Sequence, residues 1–138
     1  MSGVYVLDAC AVLAVLGREL GADKVVEIYK KAASGETTLI MNKINLLEVY
    51  YDIYRAYDKE QADKFLKEVK QSPIGINHEI TDEIFVEAGR LKASYKISLA
   101  DSIALAQAST SDGVLMTADH HEFDIIEKNE KIHFMWIR

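Results

Sequence analysis

Four acidic residues, Asp8, Glu48, Asp101 and Asp119, stand where short apolar runs end or early in helical stretches. Asp8 closes Val4-Tyr5-Val6-Leu7, and Glu48 sits in Asn45-Leu46-Leu47-Glu48-Val49. Asp101 lies in Ser98-Leu99-Ala100-Asp101-Ser102, and Asp119 ends Met116-Thr117-Ala118-Asp119. Acids gathered beside a core repel one another unless a cation holds them. Hard oxygen donors of this kind suit Mg2+ or Mn2+. A cation so held activates water and stabilises a leaving oxygen in phosphodiester cleavage. Mg2+ takes one or two carboxylates directly and keeps several waters. Four acids therefore serve one ion largely through water, or two ions about 3.5–4 Å apart. Each acid also has a plainer role. Asp8 and Asp119 suit helix caps, Asp101 completes a capping box with Ser98, and Glu48 is a helix acid facing water. The combination, not any one member, points to a metal site.

The elements that must position these acids alternate between strand and helix. Val4–Leu7 reads as a buried strand and Ala9–Leu16 as a helix, with Gly17 and Gly21 bracketing a turn. Ala22–Ala33 is an amphipathic helix with Val25, Val26 and Tyr29 at helical spacing, closed by Ser34-Gly35. Thr38–Met41 is a second strand. Ile44–Tyr57 is a helix expected to bury Leu47, Tyr50, Tyr51 and Tyr54. Asp58 caps the next helix, which Ser72-Pro73 stops, and Ile74–Ile76 is a third strand. Thr81 caps a helix over Asp82–Tyr95, and Ser98 begins an alanine-rich one that can pack close to a sheet. Val114–Met116, a short helix over His121–Lys128 and a strand over Ile132–Trp136 complete the pattern. This alternation predicts an α/β domain with a mainly parallel sheet. Ligands bind such sheets at the carboxyl ends of the strands. Asp8 and Asp119 belong at that edge, and Glu48 and Asp101 lie on helices that can face it.

At 138 residues the chain fits one compact domain, able to bury roughly 68% of its unfolded surface. One proline and seven glycines leave little room for a disordered linker. No apolar stretch approaches the roughly 18 residues that span a membrane, and no secretory signal opens the sequence. The single cysteine, Cys10, has no internal disulfide partner, so a reducing, cytoplasmic setting is expected. A net charge of −6 argues against a broad nucleic-acid-binding surface. It does not exclude a nuclease, because bound cations invert the field around an acidic site.

The chain resembles PIN-domain ribonucleases, in particular VapC-like toxins of prokaryotic toxin–antitoxin pairs. The matching pieces are Val6-Leu7-Asp8-Ala9 with Val12-Leu13, then Asn45-Leu46-Leu47-Glu48-Val49, then Ser98 to Ala106, then Leu115-Met116-Thr117-Ala118-Asp119 followed by Phe123. They span nearly the whole chain in family order. The resemblance implies one PIN-like domain over 1–138, a three-layer α/β/α sandwich with about five strands in its sheet. It implies a Mg2+ or Mn2+ site, endonucleolytic cleavage of RNA, homodimerisation and a small antitoxin partner. Asp8, Glu48, Asp101 and Asp119 fall on the family's acidic positions, and Thr117 and Asn45 on supporting polar ones. Cys10 departs from the Ser or Asn common two residues after the first acid, and a thiol is the poorer donor.

Other residues offer weaker chemistry. His120 and His121 follow Asp119 but lack a second ligand pair with transition-metal spacing, so the rim of the site is their expected place. Cys10 is expected as a small buried hydrophobe rather than a nucleophile. Tyr50, Tyr54 and Tyr57, with Tyr51 beside them, read as core with a wet edge, or as a partner surface. Lys43, Arg18, Lys92 and Lys96 are candidate phosphate contacts. Two rival functions remain. An aspartyl-phosphate phosphohydrolase would use Asp8 but wants an acid where Cys10 stands. A non-catalytic acidic module of receiver type wants a lysine after a late strand, and none follows Val114–Met116.

Overall fold

The computed structural model describes residues 3–138. Five strands, β1 (Val4–Leu7), β2 (Thr38–Asn42), β3 (Gly75–Asn77), β4 (Val114–Thr117) and β5 (His133–Trp136), form one sheet in the order β3-β2-β1-β4-β5. Every pairing is parallel. Seven helices connect them: α1 (Ala9–Leu16), α2 (Ala22–Ala33), α3 (Lys43–Ala56), α4 (Lys59–Lys70), α5 (Asp82–Ser94), α6 (Leu99–Thr110) and α7 (His120–Asn129).

Side chains alternate across a strand, so a sheet buried on both faces needs apolar residues at consecutive positions. Leu7, Leu39, Met41 and Met116 pack on one face with α1, α2 and residues of α3 and α4. Val6 and Leu115 pack on the other with Leu91, Leu105, Phe123 and Ile126 from α5, α6 and α7. The result is the three-layer α/β/α sandwich of the sequence reading. Helix α6 is its most enclosed helix, buried continuously from Ser102 to Ala108. Ala104, Ala106 and Ala108 keep it narrow where it crosses the sheet and meets α5.

The strand order contains one reversal. The chain leaves β1 for β2 and β3 on one side, then crosses to β4 and β5 on the other. Connections on the two sides of β1 therefore depart in opposite directions, and a crevice opens between the carboxyl ends of β1 and β4. Asp8 directly follows β1 and Asp119 follows β4 by two residues.

One helix is turned relative to expectation. In α3 the buried residues are Asn45, Leu46 and Val49, while Leu47, Tyr51 and Tyr54 are exposed and Tyr50 is half-buried. Leu46, Val49 and Ile53 form an inward stripe at helical spacing and pack in the core beside Phe65 and Val69 of α4. Both α3 stripes are apolar, so periodicity alone does not choose between them. In α2, likewise, Val25 and Ile28 are buried while Val26 and Tyr29 sit at the edge. No helix among the described residues is long and apolar enough to cross a membrane.

Candidate active site

Asp8, Glu48, Asp101 and Asp119 line one cleft of about 360 Å3, together with Ala9, Cys10, Leu13, Glu19 and Ser98. Four segments separated by up to 111 positions thus meet beside the β1–β4 crevice. Glu19 is a fifth acid that no motif marked.

Local backbone chemistry fixes three of the acids. Asp8 caps α1, its Oδ1 accepting the Ala11 N–H at 2.8 Å. Asp119 caps α7, its Oδ1 accepting the Glu122 N–H at 3.1 Å. Ser98 caps α6 by accepting the Asp101 N–H at 3.1 Å. The Asp101 carboxylate in turn accepts hydrogen bonds from Ser98, which closes the capping box. Capping and lining the cleft are therefore not alternatives. A carboxylate has two oxygens, and a cap needs only one.

Thr117, fully buried, ties two of these acids together. Its Oγ1 accepts the Asp119 N–H at 3.1 Å and its hydroxyl bonds the Asp8 carboxylate. Asn45 lies one turn before Glu48, buried, and donates from Nδ2 to the Ala100 carbonyl at 2.9 Å. It thereby fastens α3 to the first turn of α6. Its Oδ1 is the one buried side-chain polar atom without a partner among the described residues.

The acids strain against one another. Burial pushes the Asp8 carboxyl up to about 7; bonds from Thr117 and Ala11 oppose this, and the charges of Asp101 and Asp119 add to it. Burial likewise raises Asp101 to about 6, with Asp119 and Glu122 contributing repulsion. Glu48 is raised by burial first, then by Asp101 and Asp52. Among the described residues no lysine or arginine lines the cleft to neutralise them.

This donor set fits a hard divalent cation. It is all carboxylate, buried at Asp8 and half-buried at Glu48, Asp101 and Asp119, and short of positive charge. Among the described residues no three His, Cys, Asp or Glu side chains stand close enough to grip one ion together. Direct contact from one or two carboxylates with water completing the shell, the habit of Mg2+, is the arrangement that agrees with this spacing.

The remaining candidates separate. Cys10 is only partly buried and lines the cleft, so it is a wall residue rather than a core hydrophobe. Burial and the neighbouring Asp8 raise its thiol, which makes a resting nucleophile unfavourable. His120 does not line the cleft. Its ring stacks on Trp136 with centroids 3.9 Å apart. Its Nδ1 lies 2.7 Å from Asp124 Oδ1 and its Nε2 lies 2.7 Å from the Arg138 main-chain oxygen. Lys43, Arg18, Lys92 and Lys96 are all exposed, and none lines the cleft.

A second, apolar groove of about 390 Å3 lies away from the acids. It runs between α1, α2 and α4, lined by Val12, Val25, Val26, Tyr29, Phe65 and Val69 among others. Among the described residues Lys30 and Glu68 are the charged ones that line it. It has no constellation for catalysis.

The fold has solved counterparts. It superposes on VapBC-1 from nontypeable Haemophilus influenzae with a TM-score of 0.74 at 17% identity, covering 97% of this chain and 98% of that one. DNA-bound VapBC from Salmonella typhimurium gives 0.74 at 12% identity, over the whole of both chains. A toxin–antitoxin complex from Klebsiella pneumoniae gives 0.69 at 17% identity, covering 97% and 98%. At these identities the likeness is one of fold. No curated protein matches the sequence. The PIN domain family model matches residues 5–129, a span that holds all four acids and both supporting residues. With that match, a parallel sheet and an acidic cleft at its switch point, the chain belongs to the PIN domain family.

Proposed function

We propose that this protein is a Mg2+- or Mn2+-dependent endoribonuclease, the toxin of a toxin–antitoxin pair, acting in the cytoplasm as one PIN-like domain over residues 1–138. The observation that carries this reading is the convergence of Asp8, Glu48, Asp101 and Asp119 on one cleft without a neutralising lysine or arginine among its lining residues. One or two of Asp8, Asp101 and Asp119 would touch the cation directly and the rest would reach it through water, with Glu48 joining directly or through water. When bound, the cation supplies positive charge against the phosphate oxygens and acidity to the attacking water.

The chain's own contribution is preorganisation. The Ala11 and Glu122 amides and the Ser98 cap hold Asp8, Asp119 and Asp101 in fixed orientations. Thr117 keeps Asp8 and Asp119 in register, and Asn45 keeps the Glu48 helix against the Asp101 helix. The buried wall of the cleft raises the cost of leaving these charges unpaired, which favours cation uptake.

The solved relatives by fold are complexes of a toxin with an antitoxin, which supports a small protein partner here. The apolar groove between α1, α2 and α4 offers such a partner a surface. A homodimer would use the exposed Leu47, Tyr51 and Tyr54 of α3 with Phe85 of α5 and Leu99 of α6.

The test is mapping of cleavage sites on total RNA with Mg2+, with Mn2+ and with chelator. Wild-type protein should cut only with cation. Asp101→Asn should lose at least about tenfold, since even an outer-sphere partner of a metal is worth about 10–100-fold. Its thermal unfolding should stay near wild type. Full metal-dependent activity in both Asp8→Asn and Asp101→Asn would overturn the assignment. Release of phosphate from a phosphomonoester, without RNA cleavage, would point to a phosphohydrolase instead.

A further inference from the structure

We propose that Arg138 is a phosphate-binding residue of the acidic cleft, taking the RNA backbone beside the bond to be cut; the substrate class rests on the nuclease reading above. The starting point is a charge deficit. Five carboxylates line the cleft, counting Glu19, and no lysine or arginine does. One dication leaves that surface with a negative excess, and a further cation at the rim would favour the approach of a polyanion.

Arg138 supplies that charge. Among the described residues it is the only cationic side chain paired with a carboxylate of the cleft, its Nη1 donating to Glu19 Oε1 at 3.0 Å. The same Nη1 donates to the Leu20 carbonyl at 3.2 Å. Nε and Nη2 have no hydrogen-bond partner in the protein among the described residues, and the side chain is 32% exposed. A guanidinium anchored through one nitrogen and open along its Nε–Nη2 edge can take a phosphate with two parallel bonds. Its charge also reaches Cys10, which lies on the cleft wall.

Three elements hold the backbone of Ile137 and Arg138. The Ile137 N–H donates to the Thr117 carbonyl at 3.0 Å, extending the β4–β5 pairing toward the cleft. At the start of α7, His120 stacks on Trp136 and meets the Arg138 main-chain oxygen. At the start of α2, Gly21 takes φ +94°, and a Cβ there would lie 2.2 Å from the Ile137 carbonyl oxygen. Only glycine admits so close a passage. Among the described residues Arg18, Lys43, Lys92 and Lys96 neither line the cleft nor pair with one of its carboxylates.

The experiment titrates a fluorescein-labelled, mixed-sequence single-stranded RNA oligonucleotide in Ca2+, with wild type, Arg138→Gln, Arg138→Lys and Glu19→Gln. Arg138→Gln should weaken binding several-fold. It should also flatten the plot of log affinity against log salt by about 0.7, the value of one lost contact to single-stranded phosphate. Arg138→Lys should recover the salt slope but not the full affinity, because a lysine is a point charge. Glu19→Gln breaks the same ion pair yet should bind RNA at least as tightly, since it removes a competing anion. A purely structural pair would make Glu19→Gln and Arg138→Gln equally harmful, and that result overturns the proposal. So does an unchanged affinity and slope in Arg138→Gln, or no RNA binding by wild type. Arg138-dependent binding without Mg2+- or Mn2+-dependent cleavage would sink the nuclease reading and leave the phosphate contact standing.

Discussion

At the scale of single residues, the acids of this cleft serve two ends at once, and the division runs between the two oxygens of each carboxylate. Asp8 illustrates the cost. Its Oδ1 caps α1, yet the group is almost wholly enclosed, and burial raises it to about 7. The folded metal-free protein therefore keeps a proton on Asp8 at pH values where the unfolded chain has lost it. Stability from this group is full below the ordinary aspartate range and is lost as pH rises through about 7. Metal-free wild type should lose about 2–4 kcal/mol between about pH 5 and about pH 8, and Asp8→Asn should remove most of that slope. Thermal unfolding in chelator across that window measures it; a flat wild-type profile would refute the burial account. Mg2+ should reverse the loss at high pH, since an ion that binds only the folded form stabilises it. The four acids were readable from sequence because each abuts an apolar run that fixes its place. Glu19 and Arg138 were not. Their pairing spans 119 positions and neither sits in a motif. The role of Cys10 was misread for a related reason: a small residue two places after an acid looks like core until the cleft wall is built.

At the scale of elements, the boundaries of strands and helices followed local signals closely. Asp58, Thr81 and Ser98 each cap the helix expected of them. What local signals could not supply was rotation. Helix α3 carries apolar residues on two faces, and contact with α4 and the sheet, not its own period, turned Leu46 and Val49 inward. Long-range polar clamps were equally invisible. Arg90 of α5 bonds Glu87 at 2.7 Å and grips Glu130, just past α7, through two nitrogens at 2.8 and 3.3 Å. Tyr95 donates to the same Glu130 at 2.6 Å, and Ser109 of α6 donates to Glu87 at 2.7 Å. The Arg90 guanidinium and these hydroxyls hold both glutamates below the usual carboxylate range. A depressed carboxyl contributes stability above its unfolded pKa and loses it on acidification. Glu130→Gln should therefore cost about 1–2 kcal/mol at neutral pH, a modest figure because Arg90 is half-exposed. The difference from wild type should shrink as pH falls below the ordinary glutamate range. Denaturant midpoints at neutral and acid pH test both halves of this expectation, and a gap that widens on acidification would contradict it.

At the scale of the whole molecule, the strand order decides what the protein can do. The α/β alternation announced a parallel sheet, but nothing local announced that β1 would lie between β2 and β4. That arrangement brings the ends of β1 and β4 side by side, and with them Asp8 and Asp119. It also commits both sheet faces to helices, so the apolar surface left over lies on helix exteriors. Leu47 and Leu99 are more than half exposed, and Phe85 is 70% exposed, on helices α3, α6 and α5, of which α6 packs against both others. Leu47 is next to Glu48 in sequence and Leu99 is two residues before Asp101, on the same helices as two of the cleft acids. A proposed homodimer would cover this surface. The expected signature is linkage to concentration: wild-type Tm should rise with protein concentration, because association stabilises the folded form by mass action. Leu47→Asp combined with Leu99→Asp should remove that dependence and give a monomer by light scattering, while far-UV circular dichroism stays unchanged. Both substitutions replace exposed side chains, so the core that carries the acids is untouched. A wild type that scatters as a monomer at every concentration, with a constant Tm, would mean that these leucines serve some other surface.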